Sequence, residues 1–313
     1  GISPIPQIDL QQGISGFDLY RHLGKEWRGC VETRMVSRGR DHGVDDTPAN
    51  QSDAASLFVP AFAIDEPQNS GWSGYQNDYL DWPDWRRERP LDRSQEARAL
   101  RLLKYGIPDP ATPMEGWSAP RNPDYRSGRG PSQGCVTEPI TPLTNDYREL
   151  KRKVRALEAE GNTNIMEGVA WGMRVLSPHE PFTEGSQDEP YLDKVMVVLT
   201  DGANVFGNSY TEYGSTYNSF GYLVDGRLNG ITGGSWRTTE AMNEKTLAAC
   251  TNAKNKGYIV YTIRLEEPDV ATGEMLKQCA TSPGHYFDTP SRSQLDEVFQ
   301  DIRDGITKLR LSS

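Results

Sequence analysis

The chain has 313 residues, a net charge of −10 and a hydrophobic content of 35%, with a mean hydropathy of −0.68. That length holds one large domain or two smaller ones, and the apolar content is lean for a single core. The acidic balance argues against a general affinity for nucleic acid or anionic membrane surfaces, which recruit cationic patches, and no run nears the ~20 apolar residues that span a bilayer.

Residues 1–34 read as an entry segment, with a short helix around Asp18 to Leu23 and an extended or strand-like Trp27 to Arg34. Residues 35–134 read as a long insertion rich in Pro, Gly, Asp, Asn, Trp and Tyr. An excursion of this length without periodicity is unusual in a compact domain. Its aromatics, Trp72, Tyr75, Tyr79, Trp82, Trp85 and Trp117 among them, either present a partner surface or pack back as a substitute core. Leu91 to Tyr105 is its convincing helix, capped by Asp92 or Ser94. The basic spot Arg86-Arg87-x-Arg89 is surrounded by Asp81, Asp84 and Glu88, and reads as a self-compensated, solvated face.

The main core is expected over 135–313, where the pattern becomes regular. A helix at 146–160 carries Leu150, Val154 and Leu157, and one at 164–176 carries Ile165, Val169, Met173 and Leu176. Next come a strand at 194–199, a helix at 241–256, a strand at 258–265 and a short strand at 285–288. A last helix at 293–309 keeps Leu295, Val298, Ile302, Ile306 and Leu309 on one side. Alternating helices and apolar strands predict an α/β fold, a doubly wound and mainly parallel sheet. The unbroken apolar run Val195–Leu199 reads as a central strand buried on both faces. A second insertion, 205–239, leaves the same sheet edge as Asp201 and is placed to roof a ligand site. The sequence holds no Walker motif, no Gly-x-Gly-x-x-Gly opening a helix, no Gly-x-Ser-x-Gly and no His-Glu-x-x-His. The histidines His22, His42, His179 and His285 are scattered, and His285 is expected to pack or face solvent rather than catalyse.

Thr200-Asp201-Gly202 sets a carboxylate at the carboxyl end of a strand, where open α/β sheets place ligands. Such a carboxylate suits a divalent cation with oxygen ligands. Upstream, Thr163 and Asn164 stand at a helix start, where both residue types commonly serve as caps. Together, Gly161-x-Thr163-Asn164-Ile165 and Thr200-Asp201-Gly202 resemble the second and third metal motifs of the von Willebrand factor A domain. The resemblance implies that Thr163 and Asp201 help bind Mg²⁺ or Mn²⁺ at a metal-ion-dependent adhesion site.

Further blocks extend the resemblance along most of the chain: Trp27 to Arg34, Leu57-Phe-Val-Pro60, Gly134-Cys135, Pro139 to Leu143, Tyr261 to Leu265, Gln278-Cys279 and Lys308 to Ser312. In this order they resemble the TadG-like proteins of the tight-adherence (Flp) pilus assembly machinery. This implies a membrane-anchored envelope protein, exposed on the periplasmic side and partnered by other pilus-assembly or envelope proteins. The family's first metal motif, Asp-x-Ser-x-Ser, has no proper copy here; Asp92-Arg-Ser-Gln-Glu96 has Glu where the second Ser belongs. The chain is therefore expected to be N-terminally truncated, to lack its first strands and to supply only part of a metal shell. The expected role is a non-enzymatic binding and assembly module. A structural envelope domain with a degenerate site is the alternative, and a metal-dependent hydrolase a more distant one.

Four cysteines, Cys30, Cys135, Cys250 and Cys279, allow three pairings and form no Cys-x-x-Cys. Export, as the resemblance implies it, favours oxidation. The expected bridges are Cys30–Cys135, at the base of the long insertion, and Cys250–Cys279, joining the helix before one strand to the segment after it.

Overall fold

The computed structural model describes residues 15–66, 77, 79–80, 105, 129–187, 189–207, 213–233, 235–289 and 291–312. Of the expected helix at 91–105 only Tyr105 is described; its proposed caps and the basic spot at 86–89 lie outside the described residues. In chain order the elements are α1 (Gly16–His22), β1 (Val36–Ser37), β2 (Arg40–Asp41), α2 (Tyr147–Arg155), α3 (Ile165–Leu176) and β3 (Val195–Thr200). Then follow α4 (Ser235–Asn255), β4 (Ile259–Leu265), α5 (Val270–Cys279), β5 (Tyr286–Thr289) and α6 (Leu295–Ser312).

The fold is α/β. β3, β4 and β5 form a parallel sheet in that order, with Val197 opposite Tyr261 and Ile263 opposite Phe287. Side chains alternate across a strand, so Met196, Val198 and Val260 face one layer and Val195, Ile259, Tyr261 and Ile263 the other. The first face packs on α3, α4 and α5 through Val169, Met173, Met242, Ala249, Met275 and Leu276. The second is covered by α6, whose Leu295, Val298, Ile302 and Ile306 lie against Tyr261, Ile263 and Phe287. His285 packs its ring on Tyr261, with centroids 4.5 Å apart.

The expectation that β3 is a central strand is corrected. Among the described residues it pairs only with β4 and stands at the sheet's edge. α6 covers β4 and β5 but leaves Val197 40% and Leu199 43% exposed. Fully burying such a side chain is worth roughly 1.5–3 kcal/mol, so this half of the face is unfinished. Of the two readings of Trp27 to Arg34, the strand does not form among the described residues. The segment's single ladder contact is the bridge Val31–Pro60, because Gly29 at φ 97° and the Trp27 Nε1 donation to Cys30 O at 2.6 Å turn the chain.

The described residues 61–64, Tyr79, Leu80 and Tyr105 of the long insertion belong to a second core. Leu19 and Tyr20 of α1, residues 61–64, Tyr79, Leu80, Tyr105, Tyr213, Tyr217 and Tyr222 form one buried cluster. Residues 61–65 are extended yet belong to no sheet, and their buried peptide groups need partners. Tyrosine hydroxyls supply many of them. Tyr20, Tyr79 and Tyr222 donate to Ala61 O, Ala63 O and Ile64 O at 2.7, 2.9 and 2.9 Å. Phe62 N and Asp65 N donate to the hydroxyls of Tyr217 and Tyr105. Of the two readings of the aromatics, the substitute core holds for Tyr79.

Small features pin this half to the α/β core. β1 and β2 are joined through Arg38 and Gly39, both at positive φ, as a two-residue hairpin turn requires. The loop after β2 is gripped by Arg174 of α3, which donates to Gly43 O at 2.7 Å and Asp45 O at 3.1 Å. Phe58 is flanked by the guanidinium groups of Arg34 and Arg174. Burial, and then the nearby Arg174, push Arg34 down to about 10. Gly134 must be glycine: its φ is +79°, and a Cβ there would meet Tyr217 O at 2.7 Å.

Both expected disulfides are present, Cys30–Cys135 with Cα atoms 5.8 Å apart and Cys250–Cys279 with 5.1 Å. No helix among the described residues is long and apolar enough to cross a membrane.

Candidate functional site

Thr163 lies against Gly202, in the turn that carries Asp201 at the carboxyl end of β3. Thr200 closes the strand, its Oγ1 donating to Gly202 O at 2.8 Å and shaping the turn that carries Asp201. Val205 N donates to Thr163 O at 2.9 Å, locking the loop after β3 to the segment before α3. A Cβ on Gly202 would lie 3.0 Å from Thr163 Oγ1, so glycine lets the hydroxyl approach the backbone beside Asp201. Asp201 itself is exposed.

The cap of α3 is Asn164, not Thr163. Asn164 Oδ1 accepts from Glu167 N at 3.2 Å, and its Nδ2 donates to Ser219 Oγ at 3.1 Å. Thr163 is thereby released from capping and its side chain is turned toward Gly202. Around it lies a polar rim. Thr33 Oγ1 donates to Glu167 Oε1 and to Ser219 Oγ, the latter at 3.0 Å. The second insertion leans on this rim: a Cβ on Gly207 would come within 2.6 Å of both Asn162 Nδ2 and Thr216 Oγ1. Its described residues Tyr213, Tyr217 and Tyr222 also complete the tyrosine core.

Sequence reasoning missed Asn204, three residues after Asp201 and fully buried. Its Oδ1 accepts from Ile165 N at 2.8 Å, and its Nδ2 donates to Asn243 Oδ1 at 2.8 Å and Thr246 Oγ1 at 3.2 Å. One amide thus holds the start of α3, the exit of β3 and the face of α4 in register. The available signal was an Asn directly after a strand–turn unit, a residue able to satisfy free helix N–H groups. Asn204→Ala is expected to destabilise the protein by about 1–3 kcal/mol, because Ile165 N loses its acceptor in a dry site. Urea denaturation checks this, and a change below the error of the fit would show the amide to be dispensable.

Thr163 Oγ1 and the Asp201 carboxylate are hard oxygen donors of the kind Mg²⁺ takes, but a full shell needs about six. Among the described residues no group of three or more His, Cys, Asp or Glu side chains is arranged to hold a metal ion. The arrangement can contribute part of a cation's shell and leaves the rest open. Compared with known proteins, the chain matches no family model and no curated relative.

Proposed function

We propose that this chain is a non-enzymatic binding and assembly module of the cell envelope, a TadG-like protein of the tight-adherence pilus machinery with a von Willebrand A-like fold. It engages protein partners through a divalent cation held in part by Thr163 and Asp201. The observation that carries the reading is the approach of Thr163 Oγ1 to the backbone beside Asp201 at the carboxyl end of a parallel sheet. Both disulfides support an oxidising compartment, and with it the periplasmic side of the envelope.

The edge position of β3 fits the same reading. A further parallel strand paired to that edge would end beside Thr163 and Asp201, and an Asp-x-Ser-x-Ser following it would bring more oxygen donors. A cation so held, with one position open, accepts a carboxylate from a partner. The second reading, a structural envelope domain with a degenerate site, draws on the absence of any acidic cluster among the described residues.

Calorimetric titration with Mg²⁺ and Mn²⁺ separates the two. The chain alone is expected to bind weakly. A version fused to an apolar strand with Asp-x-Ser-x-Ser is expected to bind stoichiometrically, and Asp201→Ala to abolish that binding without loss of fold. Tight binding by the present chain, undiminished by Asp201→Ala, would place the site elsewhere. No gain on fusion would favour the structural reading.

A further inference from the structure

Helix α2 stands apart from the two cores. None of its nine residues is buried. Tyr147 and Val154 are 74% and 66% exposed, and with half-buried Leu150 they recur at helical spacing along one stripe; Leu157, 64% exposed, follows just beyond the helix end. The same helix carries Arg148, Lys151, Arg152, Lys153 and Arg155 against one acid within it, Glu149, while Asp146 caps it and Glu158 and Glu160 follow it. At about 100° per residue, Lys151 and Lys153 fall on either side of the apolar stripe. Glu149 lies on the opposite side, paired with Arg152 at 2.5 Å.

Without a use, that stripe is an aggregation liability and the concentration of cations is a self-repulsion. An apolar stripe flanked by lysines on a free helix is the pattern of a segment lying in the plane of a charged interface. We propose that α2 seats the protein on an anionic lipid surface. Tyr147, Leu150 and Val154, with Leu157 just beyond the helix end, enter the headgroup boundary, and the flanking Lys151 and Lys153 meet the lipid phosphates. Asp146, Glu158 and Glu160 at the helix ends weaken this attraction, but the more distant negative charge of the molecule does not cancel it, because charges further away than about 10 Å are screened at 0.1 M salt. The sequence-level exclusion of anionic surfaces averaged the charge over the whole chain and overlooked this local reversal.

Vesicle flotation tests it, with phosphatidylcholine vesicles with and without phosphatidylglycerol, in EDTA so that the Thr163–Asp201 region plays no part. The oxidised full chain is expected to float with anionic vesicles, to stay behind with neutral ones, and to be released by about 0.5 M salt, where screening is short-ranged. Lys151→Glu/Lys153→Glu and Val154→Asp/Leu157→Asp alter positions none of which is buried, Lys153 being half-buried and the others exposed, and should keep the native melting transition. Each is expected to lower partitioning about tenfold or more, since each cation near such a surface contributes nearly a decade. Failure to float with anionic vesicles, or flotation unchanged by both variants, overturns the proposal. The first result would leave an acidic protein surface as the occupant of α2.

Discussion

Replacing Arg227 by alanine is expected to cost about 3–5 kcal/mol, the penalty for stranding one member of a buried ion pair. Arg227 Nη1 meets Glu32 Oε2 at 2.5 Å, with the two side chains 6% and 1% exposed. Arg227 Nη2 also donates to Thr33 O at 2.6 Å, and Tyr217 donates its hydroxyl to Glu32 Oε1. Without the guanidinium, the Glu32 carboxylate loses the countercharge that Arg227 supplies, and the backbone of Thr33 loses a donor. Urea denaturation of the oxidised protein reads the loss directly. Arg227→Met combined with Glu32→Gln should lose much less than the two single changes added, because the desolvation cost disappears with the charges. A loss below about 1 kcal/mol for Arg227→Ala would mean the pair behaves as an exposed one.

The second large effect concerns Cys250–Cys279. Both cysteines are fully buried, and the bridge joins α4 to the end of α5 across 29 residues. Closing a loop of that size is worth about 3–4 kcal/mol through the unfolded chain. Cys250→Ala/Cys279→Ala is therefore expected to lower stability by at least that amount, with the lost packing of two buried sulfurs adding to it. The bridge at Cys30–Cys135 spans 105 residues, yet loop entropy grows only logarithmically and predicts about 1 kcal/mol more. Comparing the two double variants by thermal melting tests the ledger. Near-wild-type stability for the Cys250/Cys279 variant would show that α5 is held by its apolar face alone.

The parallel sheet was legible because β3 and β4 are short apolar runs with abrupt polar ends, and α3 and α6 because one face repeats at helical spacing. Where a helix buries little, its limits were lost. α4 begins at Ser235, but its first residues are Ser-Trp-Arg-Thr-Thr-Glu, with Trp236 67% exposed, and an apolar face is visible only from Ala241. α5 escaped altogether, since Gly273 and Thr272 interrupt the pattern. Its start is fixed instead by Asp269, whose side chain accepts from Thr272 N at 2.7 Å. α2 stops at Arg155, short of the expected 160; none of its residues is buried, and Gly161 at φ 75° ends the approach to α3.

The edge position of β3 could not be read from its composition. A run such as Val195–Leu199 records a strand that suits burial on both sides, not what lies beside it. At the candidate site, Thr163 and Asp201 were found through a motif. Asn204 and the Thr33–Glu167–Ser219 rim depend on partners distant in sequence that no local pattern encodes.

The tyrosine core has a consequence for the order in which the chain acquires its structure. Its bonds join residues 155 and 158 positions apart, as in Phe62–Tyr217 and Ile64–Tyr222, whereas Arg264 and Asp288 on adjacent strands are 24 apart. Contacts between distant residues must wait for loop closure before they return any stabilisation, and topologies rich in them fold slowly. The β4–α5–β5 unit can therefore assemble while residues 61–65 still have their peptide groups in water. Only when Tyr217 and Tyr222 arrive does that segment leave the solvent, so the irregular half of the molecule is the last to be fixed and the first to be released.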